Sequence, residues 1–124
     1  MSEIWHDSTP IYQQLRDQMI RLIIEGVLKE GEAVPSVRQV SSDYRINHLT
    51  VAKAYQELMG EGLLEKRRGI GMFVIGGAQQ KLLQKEQEKL LNSELPEILR
   101  RAERLGITRE QITELIAREM IGAK

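Results

Sequence analysis

Two helix-capping residues, Ser36 and Asn47, stand only eleven positions apart, and that spacing constrains this chain more than any other feature. Pro35 blocks backward extension of a helix. Ser36 has Gln39 at the spacing of a capping box, and Val37, Val40 and Tyr44 give the helix that follows an apolar side. This helix has to stop near Arg45-Ile46, because Asn47 favours a new start. Val51, Ala54, Tyr55 and Leu58 then fall on one face before Gly60 and Gly62. Two short helices separated by a tight turn are the outline of a helix-turn-helix.

The pattern changes after Gly62. Leu63-Leu64-Glu65-Lys66 and Met72-Phe73-Val74-Ile75 are β-capable runs around the basic, glycine-containing turn Arg67-Arg68-Gly69-Ile70-Gly71, which predicts a hairpin, the wing. Upstream, Thr9 is placed to cap a helix with Pro10 in its first turn. Ile11, Leu15, Met19, Leu22 and Ile23 form one face of that helix, Gly26 ends it, and Lys29 to Glu32 read as a turn.

Gly76-Gly77 is a break, and the sequence beyond it is helical throughout. Leu82, Leu83, Leu90 and Leu91 mark one helix, and Pro96 predicts a restart before Ile98, Leu99, Ala102 and Leu105. Gly106 ends that helix. Thr108 with Gln111 repeats the capping-box spacing, and Ile112, Leu115, Ile116 and Met120 form the stripe of a last helix. So short a tail has little chain of its own to cover Leu99, Leu105, Ile112, Leu115, Ile116 and Met120, which points to a second copy as the cover. The expected fold is α+β, mainly α: a winged helix-turn-helix over residues 1–76 and an all-α dimerisation segment over 77–124.

A helix-turn-helix puts the start of its second helix at the major groove, so Asn47, His48, Leu49, Thr50 and Lys53 are candidate DNA contacts. Ser36 and Arg38 open the preceding helix, Arg45 lies in the turn, and Arg67, Arg68 and Gly69 suit a wing tip along the minor groove. Charge does not reinforce this globally. Basic residues number 9 against 10 acidic up to Gly77 and 9 against 8 beyond it, so any basic surface must be clustered. The competing reading is a winged-helix protein-interaction module that does not read DNA; retention on heparin or bulk DNA, with elution by salt, separates the two.

Catalytic chemistry finds no support. Gly69-Ile70-Gly71 precedes a strand and lacks the third glycine of a dinucleotide fingerprint. The two histidines, His6 and His48, are far apart and the chain has no cysteine. No serine sits in a nucleophile elbow. The expectation is a protein that is not an enzyme, with no cofactor and no metal. Met1 to Asp7 lacks the basic-then-apolar pattern of an export signal, and Arg21 interrupts the apolar patch from Met19 to Ile24. A cytoplasmic location without a membrane partner is therefore expected.

Several ordered blocks carry a resemblance. Pro10-Ile11-Tyr12-x-Gln14-Leu15, Gly31-x3-Pro35-Ser36-Val37-Arg38, Leu49-Thr50-Val51-x-Lys53-Ala54-Tyr55-x-Glu57-Leu58, Glu61-Gly62-Leu63 and Arg68-Gly69-x-Gly71-x-Phe73-Val74 resemble the N-terminal domain of GntR-family bacterial regulators. The tail, including Leu105-Gly106-Ile107-Thr108, is similar to the YtrA-type subfamily, in which short helices replace a large effector-binding domain. The resemblance implies a double-stranded DNA operator bound by a homodimer, with Arg38, Thr50 and Gly69 at DNA-contacting positions and Arg68 in the wing tip; it leaves any small-molecule effector unknown. This chain departs from the family in having Arg45 where Gly is usual, and His48 where many members have a base-reading Arg. If the turn requires positive φ, Arg45 costs roughly 1 kcal/mol relative to Gly.

Overall fold

A computed structural model describes residues 5–121 of the chain; residues 1 and 124, the expected outer limits of the two segments, lie outside them. The chain forms two compact units, divided between Gln84 and Lys85.

The first unit contains α1 (Ile11–Ile24), α2 (Val37–Tyr44), α3 (His48–Gly60), β1 (Leu64–Arg67), β2 (Gly71–Val74) and the start of α4 (Ala78–Lys89). Pro10, not Thr9, is the N-cap of α1, and no side chain caps it. Thr9 lies one residue outside the cap position, and the side-chain amide of Gln14 reaches back to the carbonyl oxygens of His6 and Thr9, at 2.6 and 2.8 Å. At the other end Gly26 takes φ +80°, so that its N–H reaches Ile23 and that of Val27 reaches Leu22, the two bonds of a Schellman motif.

The helix-turn-helix closes as its residues dictate. Ser36 Oγ accepts from the Gln39 amide at 3.0 Å and Asn47 Oδ1 from the Leu49 amide at 2.7 Å. Leu15, Met19 and Ile23 of α1 join Val40 of α2 and Val51, Ala54, Tyr55 and Leu58 of α3 in one core. Burial pushes the Tyr55 hydroxyl up to about 12, so it stays protonated and donates to Pro35 O at 2.5 Å, tying α3 to the start of α2. Arg16 pairs with Glu61 and lies 3.6 Å from Glu57, joining α1 to the end of α3.

β1 and β2 pair antiparallel, Leu64 opposite Val74 and Arg67 opposite Gly71. Residues 31–34, of which the first two are expected in a turn, run beside β2: Gly31 N donates to Val74 O at 2.8 Å, Val34 N to Met72 O at 2.8 Å, and Val74 N to Glu32 O at 3.0 Å. The wing thus has a backing segment that its sequence did not announce.

The first unit also runs past the expected division at residue 76. Ala78 and Leu82 are 1% and 5% exposed in the same core. Gln79 N donates to Glu30 Oε2 at 3.0 Å, Gln79 Nε2 to Ile24 O at 2.8 Å, and Lys81 Nζ to Glu61 O at 2.8 Å. The last two bonds satisfy carbonyls at the C-terminal ends of α1 and α3, which a helix leaves without intrahelical donors.

The second unit comprises the end of α4, a π-helical segment (Leu90–Glu94), α5 (Leu95–Arg104) and α6 (Arg109–Glu119). The α-helix restarts at Leu95, ahead of Ile98 as expected, but without a break in the helical backbone. Helical backbone continues through Pro96, because the wider π turn, in which Leu95 N donates to Leu90 O, places the proline in the first turn of α5, where a missing N–H is tolerated. Gly106 at φ +82° ends α5 with a second Schellman pair, Gly106 N to Glu103 O and Ile107 N to Ala102 O. Thr108 and Gln111 form a complete capping box.

Candidate nucleic-acid interface

The turn between α2 and α3 is held from inside. Ile46 is buried, Ser41 Oγ donates to Ile46 O at 2.5 Å, and Arg45 adopts φ 55°, ψ 47°. Arg45 is the only non-glycine residue with positive φ among the described residues. The left-handed conformation costs a residue with a Cβ roughly 1 kcal/mol. It also leaves the Arg45 side chain exposed at the surface beside the start of α3.

Around this turn the candidate contacts lie outward. Ser36, Arg38, Asn47, His48, Leu49 and Lys53 are exposed and Thr50 is half-buried. Thr50, Arg45 and Asn47 border an open cleft of about 850 Å³, shared with Trp5, Asp7 and Tyr44. Trp5 packs edge-on against Tyr44 at 6.3 Å, a contact that two aromatic residues so far apart in sequence do not reveal. At the wing, Gly69 takes φ +76° and Ile70 N closes the turn onto Arg67 O at 2.9 Å, leaving Arg68 and Gly69 exposed at the tip.

The positive charges fall into two groups. Among the described residues, Arg38, Arg45, Lys66 and Arg68 make no ion pair and no side-chain hydrogen bond, so their charges are available to an anion. Lys53 and Arg67 are engaged within the chain. Lys53 Nζ sits 4.1 Å from the centre of the Tyr12 ring. Arg67 stacks 4.2 Å above Phe73 and bonds Glu65 at 2.9 Å. The wing sequence could have signalled the Glu65–Arg67 pair, since residues two apart on a strand share a face; the Lys53–Tyr12 pair depends on how α1 meets α3.

The tail candidates also lie at the surface. Leu99, Leu105, Leu115, Ile116 and Met120 are exposed and Ile112 is half-buried. Among the described residues no helix is long and apolar enough to cross a membrane, and no group of three His, Asp or Glu is arranged to hold a metal ion.

Comparison with known proteins places this geometry. The sequence model described as bacterial regulatory proteins, gntR family, matches residues 11–74. The HTH-type transcriptional repressor YtrA of Bacillus subtilis (strain 168) is 35% identical over 109 residues, covering 88% of this chain and 83% of its own. The crystal structure of a transcriptional regulator from Oenococcus oeni superposes with a TM-score of 0.82 at 28% identity, covering 94% of this chain and 95% of that one. A structure of the AraR DNA-binding domain in complex with operator ORX1 matches 60% of this chain and 86% of its own, with a TM-score of 0.52 at 26% identity.

Proposed function

The chain belongs to the gntR family of bacterial regulatory proteins, and we propose that it is a cytoplasmic repressor that binds an inverted-repeat operator as a homodimer. That it is a transcriptional regulator with a DNA-binding domain follows from the family. The operator symmetry, the pairing of two copies and the residues in contact are the proposal.

One observation carries the reading of the site. The exposed start of α3 and the tip of the wing both present groups suited to DNA, and the cations Arg38, Arg45 and Arg68 have no partner among the described residues. In this assignment the amides at the start of α3 and the Thr50 hydroxyl meet phosphate or base edges in the major groove. His48 donates to phosphate or guanine, while Ser36, Arg38 and Arg45 hold the backbone. Arg68 and Gly69 approach the minor groove, with Arg67 steadied by Phe73 and Glu65. Lys53, held over Tyr12, offers its charge one turn along α3. Because the net charge is zero, binding rests on this local cluster.

Leu99, Leu105, Ile112, Leu115, Ile116 and Met120 support the homodimer, since burying each such side chain fully is worth roughly 1.5 to 3 kcal/mol. Two copies about a two-fold axis would set one α3 on each half-site, with half-site centres roughly 10 base pairs apart or a multiple of it. Selection of bound fragments from the source genome, followed by footprinting, tests this. The expected result is a protected inverted repeat; protection without a dyad contradicts the dimeric reading. If no DNA is enriched while a protein partner is retained, the chain is an interaction module.

A further inference from the structure

We propose that Leu49 reads a thymine in each half-site by packing against its C5-methyl group in the major groove. The inference rests on the DNA-binding reading above and names one base that the site selects.

The two most exposed large apolar side chains of the first unit, among the described residues, are Leu49 at 68% and Ile70 at 70%. One stands in the first turn of α3 and the other at the tip of the wing, the two points assigned to the grooves. Exposed leucines scattered over a surface are ordinary. This one sits in a row of polar neighbours, His48 and Thr50 beside it and Lys53 one turn on. The apolar residues of α3 that build the core, Val51, Ala54, Tyr55 and Leu58, are buried. Leu49 adds nothing to that core.

Its position is also set before any DNA arrives, because its own amide is held by Asn47 Oδ1 at 2.7 Å. A leucine side chain has no donor or acceptor, so it contributes nothing to a phosphate or to a hydrogen-bonding base edge. The apolar group that duplex DNA presents in the major groove is the thymine methyl. Ile70 supplies the contrast: it belongs to the wing tip that the reading above assigns to the minor groove, where no methyl is displayed.

The test uses the full chain and duplexes enriched from a randomised DNA pool. Each thymine is replaced in turn by deoxyuridine, which deletes the methyl and keeps the pairing. Wild type should lose roughly three- to five-fold in affinity per half-site at one thymine position, the loss expected for one buried methyl group. Leu49→Ala should bind the thymine duplex more weakly, treat thymine and deoxyuridine alike, and unfold at the wild-type temperature. Ile70→Ala should keep the discrimination. Wild-type indifference to every deoxyuridine, or discrimination retained in Leu49→Ala, overturns the assignment while leaving DNA binding intact. Failure to enrich any sequence from the pool removes the DNA-binding reading itself, and this inference with it.

Discussion

The two units of this chain bury their apolar residues in opposite ways. Every buried hydrophobic residue among those described lies between Leu15 and Leu82, in the first unit. In the second, Leu115 and Ile116 are 46% and 51% exposed although α5 ends in a Schellman pair and α6 opens with a complete capping box. The first unit is held by its own core. The second has well-formed helices but no buried hydrophobic residue among those described, and since the stability of helices this short comes mostly from packing an apolar face, this contrast is what the proposed pairing of two copies would resolve.

The sharpest way to break this comparison is to truncate one large side chain in each unit. Leu58→Ala should cost about 2 to 5 kcal/mol of folding stability, because Leu58 is fully buried and leaves a cavity. Leu115→Ala should leave the melting of the first unit unchanged and weaken self-association. Equal losses of folding stability in the two variants would erase the distinction, and thermal melts paired with sedimentation at several concentrations read it.

A charge placed in the tail probes the same contrast through DNA. With both half-sites coupled by a dimer, avidity exceeds that of a single site by about 100-fold or more, so Ile116→Asp should reduce operator affinity by about that factor while half-site affinity stays unchanged. Fluorescence titrations against one-site and two-site duplexes provide the measurement.

In the first unit, surface and core should separate. Arg38→Ala, Thr50→Ala and Arg68→Ala should each lower operator affinity by roughly 1 to 3 kcal/mol with melting temperature nearly unchanged; undiminished affinity in all three would sink the contact assignment. The smallest effect is expected at the turn. Arg45→Gly should raise folding stability by up to about 1 kcal/mol, because Gly takes φ 55° without a Cβ clash, while operator affinity falls as a phosphate contact is lost. A destabilised Arg45→Gly chain would show that other contacts of the arginine outweigh its strain.

What the sequence made legible follows the range of the forces involved. Caps, glycine stops and periodicity act within a few residues, and Ser36, Asn47, Gly26, Gly106 and Thr108 all sit where local chemistry puts them. The strained turn is legible only through the family resemblance, which has glycine where this chain has Arg45; φ there is positive. Contacts between distant segments were not legible. Nothing local to Ala78 and Leu82 says that they enter the core of the first unit, nor that Gln79 reaches Ile24 O and Glu30. Pro96 marks the start of α5, but the π turn that carries the helical backbone up to it depends on more than the residues next to the proline. Of the candidate contacts, exposure could be foreseen at the start of α3, but the engagement of Lys53 by Tyr12 could not, since it requires α1 and α3 to be placed side by side.

Ending the chain after Gln84 separates a first unit proposed to fold and read DNA from a second proposed to join two copies. This keeps Ala78, Gln79 and Leu82 in the core, where a cut after Gly77 would remove them. Sedimentation of the truncated and full chains, paired with titrations on one-site and two-site operator duplexes, is the measurement. The expected result is a folded monomer that binds a single half-site as tightly as the full chain does and the two-site duplex about 100-fold or more weakly. A truncated chain that remains dimeric, or holds the two-site duplex as tightly as the full chain, would contradict it.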